Sequence, residues 1–289
     1  MIERLSIMVS IMNRLRTTQQ VAVVKSLVEG NSIRATVRLT GVAKNTIQKL
    51  VVELGVAVTE YQDKALRNLN SKRVQADEIW SFCYAKKKTV QKDKSILERN
   101  PDAGDVWTWT AIDADSKLCI SWLVGDRTAD NAYTIMKDVQ SRMAQRVQLT
   151  TDQLSIYLRA VDRAFGIDVD YAMLQKIYAG GGDGRYSPAE CIGCKKVEVI
   201  GSPDAKHIST SFVERQNLTM RMSMRRFTRL TNAFSRKVEN HAAMVALYFM
   251  YYNFGRVHQT LRVTPAMEAG VTDHVWSAEE IVALLPTSR

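Results

Sequence analysis

No apolar run in this 289-residue chain reaches the roughly twenty residues a membrane-spanning helix needs. The longest, AAMVALYFMYY at 242–252, falls far short. An export signal is missing too: the start, MIERLSIMVSIMNRLR, carries an acid in its charged region, and no small-residue cleavage site follows. That segment reads as an irregular N-terminal arm, or as an over-called start with the true one at Met8 or Met12. Cysteine is scarce, and the four present are expected to be reduced thiols in a cytosol. The pair Cys191-Ile-Gly-Cys194 lacks two further ligands at regular spacing, so it reads as ordinary thiols rather than a zinc site. There is no internal repeat, no low-complexity run and neither glycine-rich nucleotide pattern, so GGGDGRYSPAECIGCKK (180–196) reads as a loop. Acid is the scarcer charge: 30 Asp and Glu stand against 40 Lys and Arg, for a net charge of +10. Hydrophobic residues at 46% make an ordinary globular balance, and the basic surplus favours nucleic acid as partner ahead of an anionic membrane surface.

Three helices are expected first. Residues 18–29 place Val21, Val24 and Leu27 on one face, and Gly30 ends them. Residues 31–41 start at Ser32 as N-cap and end at Gly41; residues 42–55 bury Ile47, Leu50, Val51 and Leu54 and close at Gly55. Two short helices joined at a glycine, with Val42, Ile47 and Leu50 after it, match a helix-turn-helix. Its second helix would present Lys44, Asn45, Thr46, Gln48 and Lys49, side chains that read bases and phosphates. A plain three-helix packing module is the alternative. Residues 1–72 hold eleven Lys and Arg against five Asp and Glu, which supports DNA. Residues 59–73 read as a linker or linker helix.

The periodicity then changes. Residues 74–88 look like a strand, 106–125 like a hairpin, 126–145 like a helix, 146–152 like a short strand ending in Asp152, and 153–166 like a helix. That order describes a mixed sheet whose first and fourth strands lie side by side and parallel. Residues 196–201 supply a fifth strand. Helices follow over 211–230 and 234–254, and a tail helix over 277–285 starts at the capping box Ser277-x-x-Glu280.

Three acids stand out. Asp77 lies inside a strand, where a carboxylate needs a cation, an arginine or solvent. Its neighbour Glu78 points to the opposite face, so only one of the two is expected at a given site. Asp152 follows a strand, where α/β sheets bind ligands, or it caps the next helix. Glu214 completes a capping box with Ser211, or it heads a stripe running through Asn217, Arg221 and Arg225, spaced 3, 4 and 4. Taken together the acids suit magnesium, which prefers hard oxygen ligands, and a pair of such ions can activate a water or a 3′-hydroxyl against a phosphodiester. His207 reads as a phosphate contact or a hydrogen-bonded loop histidine, and the methionines of MRMSM as core packing.

These blocks carry a resemblance. DEIW (77–80), TTDQ (150–153) and HISTSFVERQNLTMRMSMRRFTRLTNAFSRKVENHA (207–242) resemble the three signature blocks of DDE-type bacterial transposases, the insertion-sequence-one-like group above all. YYNFGRVHQTLRVTPAMEAG (251–270) resembles the closing motif of many transposase and integrase-like cores, and residues 29–55 resemble the group's helix-turn-helix. The resemblance implies an RNase H-like α/β core with a mixed five-stranded sheet and flanking helices behind an all-α DNA-binding domain. It implies Asp77, Asp152 and Glu214 as catalytic metal ligands, two Mg2+ or Mn2+ ions, and DNA contacts from Arg215, Asn217 and Arg221. Gln153 departs from the glycine the family often carries there. The domains expected are 1–56 for the arm and helix-turn-helix, 57–72 for the linker, 73–262 for the core with 163–206 inserted, and 263–289 for the tail. The function implied is a transposase, bacterial, cytoplasmic and nucleoid-associated, acting as a homo-oligomer on the terminal inverted repeats and target of double-stranded DNA without a membrane. The rivals are a non-cutting DNA-binding regulator and an RNase H-like nuclease of branched DNA. Arg256 and His258 are expected to tie the last helices together.

Overall fold

The computed structural model describes residues 14–179, 190–228 and 231–286. Most of the expected N-terminal arm and of the glycine-rich stretch lies outside the described residues. The chain opens with α1 (Thr17–Val28), α2 (Ile33–Thr40) and α3 (Lys44–Ala65). Ser32 caps α2, its Oγ accepting from Ala35 N at 3.1 Å. Gly41 closes α2 in the left-handed region at φ 68°, where a side chain would be strained. The apolar faces are those the spacing predicts: Val21, Val24, Leu27, Val42, Ile47 and Leu50 are all buried.

Next come β1 (Arg73–Cys83), the short helices α4 (Lys87–Lys92) and α5 (Ser95–Arg99), and the hairpin β2 (Gly104–Asp113) and β3 (Cys119–Gly125). Then follow α6 (Ala129–Arg142), β4 (Gln148–Asp152), α7 (Ile156–Phe165), β5 (Asp170–Tyr178) and β6 (Cys191–Ile200). The chain finishes with α8 (Ser211–Ser223), α9 (Val238–Met250), α10 (Pro265–Glu268) and α11 (Ala278–Ala283). The strands form one open mixed sheet in the order β3-β2-β1-β4-β5-β6. β1 and β4 are adjacent and parallel, as the strand order predicts, and β5 continues the parallel side. α6 packs on β2 and β3 and against α7; α8 and α9 cover the other face, with α3 behind α9. No described helix is long and apolar enough to cross a membrane.

The structure corrects several expectations. The sheet has six strands rather than five, because residues 163–206, expected as inserted, hold both β5 and β6. Tyr171, Ala172, Met173 and Leu174 of β5 are buried as a continuous run, since a strand flanked on both sides and covered on both faces does not alternate. α3 does not stop at Gly55, and of the two readings of residues 59–73 the helical one holds to Ala65, with Leu66 and Leu69 beyond it buried. Gly55 serves packing instead: a Cβ there would lie 2.6 Å from Ala243 Cα, so α3 and α9 meet backbone to backbone. α8 ends at Ser223 rather than running to 230, because Met224 turns extended and buries its side chain.

The closing motif is structural. Asn253 is fully buried in a π-type turn at Tyr251–Gly255. Its amide accepts from Cys119 N and donates to Cys119 O, both at 2.9 Å, bonding to β3 as a neighbouring strand would. Thr264 caps α10 with Pro265 at the first helical turn. Arg256 donates to Ser223 Oγ at 3.2 Å and so ties this turn to the end of α8. Trp276 packs on Tyr61 of α3 with ring centroids 4.7 Å apart, and the Ser277–Glu280 capping box forms as expected. One hydrophobic cluster therefore runs from Val21 through the sheet to Leu285.

Candidate metal centre and nucleic-acid interface

β4 pairs with β1 only over Arg73–Ala76 and ends at Asp152. From Asp77 onward that edge of β1 has no strand beside it, while β2 stays paired to Cys83 on the other edge. The next register position would set Asp77 against Asp152. Asp77, Glu78 and Asp152 each offer a carboxylate oxygen, and these atoms lie within 4.8 Å of one another. Strand alternation does send Asp77 to the α8 face and Glu78 to the α7 face. Because β4 stops there, both carboxylates still reach around its end, so the expectation that only one can serve the site is corrected.

Each acid is held differently. Asp77 Oδ2 accepts from Asn217 Nδ2 of α8 at 2.8 Å. Asn217 Oδ1 is buried and has no donor among the described residues. Asp152 Oδ1 accepts from Leu154 N at 3.0 Å, so Asp152 closes the turn after β4, while the N-cap position of α7 is Ser155. Glu78 is the most buried: Arg127 Nε donates to Oε1 at 2.8 Å and Tyr157 Oη to Oε2 at 3.1 Å. Arg127 also lies over the Trp107 ring at 4.6 Å.

Burial, then the charges of Glu78, Asp152 and Glu214, push Asp77 up to about 7. Burial likewise raises Glu78 and Asp152, with Arg127 opposing in both. Burial of carboxylates beside one another produces this pattern. Hard oxygens at these distances fit Mg2+ or Mn2+ better than a soft metal, and the unsatisfied Asn217 oxygen is a further hard donor beside Asp77.

Glu214 stands apart from this trio. It pairs with Lys176 of β5 and accepts from Thr210 Oγ1 at 2.6 Å. The Ser211 capping box does not form, because Thr210 is the N-cap. Gln75 of β1 takes over: its Oε1 accepts from Phe212 N at 2.8 Å and Val213 N at 3.1 Å. Two positions before Asp77, this buried amide bolts the start of α8 to the strand that carries the acid. Four carboxylates thus face two cations, Arg127 and Lys176, an acidic excess that suits a divalent cation.

The basic residues divide. Lys44, Asn45 and Lys49 are exposed on α3, and Thr46 and Gln48 are half-buried. Lys44 and Gln48 line a cleft of about 650 Å3 with Arg34, Arg225, Arg226 and Arg236. Arg225 is therefore not on the α8 stripe: it sits on the short turn Arg225–Phe227 and faces α3 instead. Arg215 is exposed, and Arg221 lines a second cleft. Met220 and Met224 are buried and Met222 is exposed, the one-sided packing expected of that run. His207 contacts Arg73, with Asp204 at 3.6 Å, as a hydrogen-bonded loop histidine does. Cys191 and Cys194 are exposed free thiols on β6, and Cys83 and Cys119 are buried. Glu78, Arg127, Lys176, Gln75 and Tyr157 were not legible as site residues, since their partners lie 38 to 138 positions away in sequence.

The chain is a mixed α/β protein with an open six-stranded sheet. No family model matches it, and no curated protein matches it. Among solved structures it is similar to the piggyBac transposase in a synaptic complex with hairpin DNA, determined by cryo-EM. That similarity covers 98% of this chain and 73% of that one, at 10% identity and a TM-score of 0.38. A likeness this weak carries no functional argument.

Proposed function

We propose that the chain is a DNA transposase of the DDE type, with an RNase H-like core and a helix-turn-helix formed by α2 and α3. The observation that carries this reading is the acidic trio at the end of β4, beside a basic, cleft-bearing face. Asp77 and Asp152 would hold a divalent ion, joined by Glu78 or by Glu214 released from Lys176. When bound, such an ion polarises a water or a 3′-hydroxyl and offsets charge at a phosphodiester. The chain supplies the rest. Asn217 fixes the Asp77 carboxylate, Gln75 fixes α8 against β1, and Arg127 pairs with Glu78 and opposes the rise in its pKa from burial. Lys44, Asn45, Thr46, Gln48 and Lys49 would read terminal-repeat DNA, and Arg215, Arg221 and Arg225 would hold backbone phosphates. A homo-oligomer is expected, since two DNA ends must be paired. Strand transfer with Mg2+ on DNA carrying the flanking inverted repeats tests the reading: Asp152→Asn abolishes it, and wild-type activity in that variant would overturn the mechanism.

A second reading is favoured by one observation, the Lys176–Glu214 pair, which leaves the acidic trio without the expected glutamate. It is a DNA-binding regulator that does not cut. Binding without nicking in either Mg2+ or Mn2+ selects it.

A further inference from the structure

The open edge of β1 is covered beyond Asp77 by the segment that returns from α8, where Ser235 bridges to Cys83. Between them lies a cleft of about 460 Å3, within the roughly 300–1,000 Å3 range of small-ligand sites. Of the four aromatic rings lining it, Phe227 is buried, and Trp80, Phe82 and Phe234 form an open wall. Phe82 stands 5.7 Å from Trp80 and 5.0 Å from Phe234 between ring centroids, and all three side chains keep partial access to solvent. Buried aromatics in a core need no such opening, whereas a stacking platform does. The other lining charges are all positive: Lys86, Arg221 and Arg226 contribute, and no acid does. Lys86 Nζ sits 5.7 Å from both the Trp80 and Phe82 centroids.

Arg226 is the most telling of these. Its side chain is half-buried, donates to Ser235 Oγ at 2.8 Å, and pairs with no carboxylate among the described residues. Burial lowers it to about 10, so it remains charged at neutral pH. A partly buried cation without a counter-charge favours an arriving anion. It lines both clefts, so the aromatic cleft opens toward the one beside α3. Trp80 and Phe82 share the strand face of Glu78, and Trp80 follows Glu78 by two residues, about 7 Å at the usual rise.

We propose that this cleft takes a single unpaired nucleotide of the DNA substrate, its base stacked among Trp80, Phe82 and Phe234 and its phosphate on Arg226 and Lys86. The base must be unpaired because a paired one presents no free face to the rings. The inference rests on the DNA reading above and adds to it a requirement for local melting next to the scissile phosphate. A stacked base is sequence-tolerant, so the cleft would favour unpaired over paired DNA rather than one base over another.

The test uses the full chain and fluorescence anisotropy on three matched probes: a fully paired duplex, the duplex with one unpaired thymine at its end, and the same duplex with an abasic residue at that position. The unpaired thymine is expected to bind roughly 5- to 150-fold more tightly than the abasic probe. Phe234→Ala is expected to abolish that preference and Phe234→Tyr to keep it. Lys86→Ala, at an exposed position, guards against a folding artefact and should weaken all phosphate-bearing single-stranded ends. Equal binding of thymine and abasic probes by a protein that binds paired duplex overturns the cleft assignment alone. A preference that survives Phe234→Ala does the same. Failure to bind any of the three probes overturns the DNA reading itself.

Discussion

Replacing Asp77 by asparagine should stabilise the metal-free protein, although it removes the residue most central to the site. Asp77 is raised from 3.8 to about 7, first by burial and then by Glu78, Asp152 and Glu214. Three pKa units correspond to about 4 kcal/mol, at 1.36 kcal/mol each. Asp77 keeps partial access to solvent, so screening reduces the expected difference to about 2 kcal/mol. The sign follows from proton binding. Below about pH 4 both states hold the proton and the penalty is absent. Between about pH 4 and 7 the native state keeps a proton that the unfolded chain has released, so stability falls as pH rises. Above that the full penalty is present. The Asp77→Asn side chain preserves an acceptor for Asn217 while shedding the charge. Urea unfolding in EDTA at pH 8 and pH 4 measures this: the Asp77→Asn gain should be present at the higher pH and shrink toward zero at the lower. Millimolar Mg2+ should then reverse the ranking, because ligand binding to the native state stabilises only the wild type appreciably. A variant no more stable than wild type at pH 8, or a gain independent of pH, would refute the reasoning.

Three further outcomes follow. Gln75→Ala leaves two amides of α8 without an acceptor and should cost about 1–3 kcal/mol by urea titration, whereas Gln75→Glu keeps the acceptors and most of the stability. Gly55→Ala should destabilise by about 1–3 kcal/mol in the same assay, and Ala243→Gly should recover only part of it, because the Ala243 Cα, and not only its Cβ, stands 2.6 Å from the new methyl. Lys49→Ala should reduce the slope of log affinity against log salt by about 1 on any DNA, while Gln48→Ala should leave the slope and reduce sequence preference.

Local chemistry was legible and distant chemistry was not. Ser32, Gly41 and the Ser277–Glu280 box mark helix ends through their own short-range bonds, and all three act as read. The adjacency of β1 and β4 follows from element order alone. Gly55 shows the limit. A glycine ends a helix or lets two helices touch, and only the position of Ala243 decides which. Met224 likewise ends α8 with no glycine or proline to announce it, which moves Arg225 off the stripe that a longer helix would have made. Glu78 was placed on the correct face, but where β4 would end was what decided its reach.

The length of α3 bears on how recognition and chemistry are joined. Its first turns carry the exposed Lys44, Asn45 and Lys49, while farther along it buries Leu54 and Val58 in the cluster that also holds α9 and the sheet. α9 packs on α3 through Gly55, and α1 is held to α11 through Lys25 and Glu279. A single rigid helix therefore spans the expected boundary between a DNA-reading unit and a catalytic one, with no flexible joint within residues 44–65. Under the proposed function, the distance from the recognised bases to the acidic trio is fixed by the fold rather than by a tether. The clefts sharing Arg226 lie on that path, one beside Lys44 and Gln48 and the other beside Trp80. Under that reading, DNA seated on α3 would run over Arg225 and Arg226 toward the edge of β1, where β4 stops and the carboxylates gather. On that reading, the end of one five-residue strand would create both the gap that admits a substrate and the crowding of carboxylates that suits a cation.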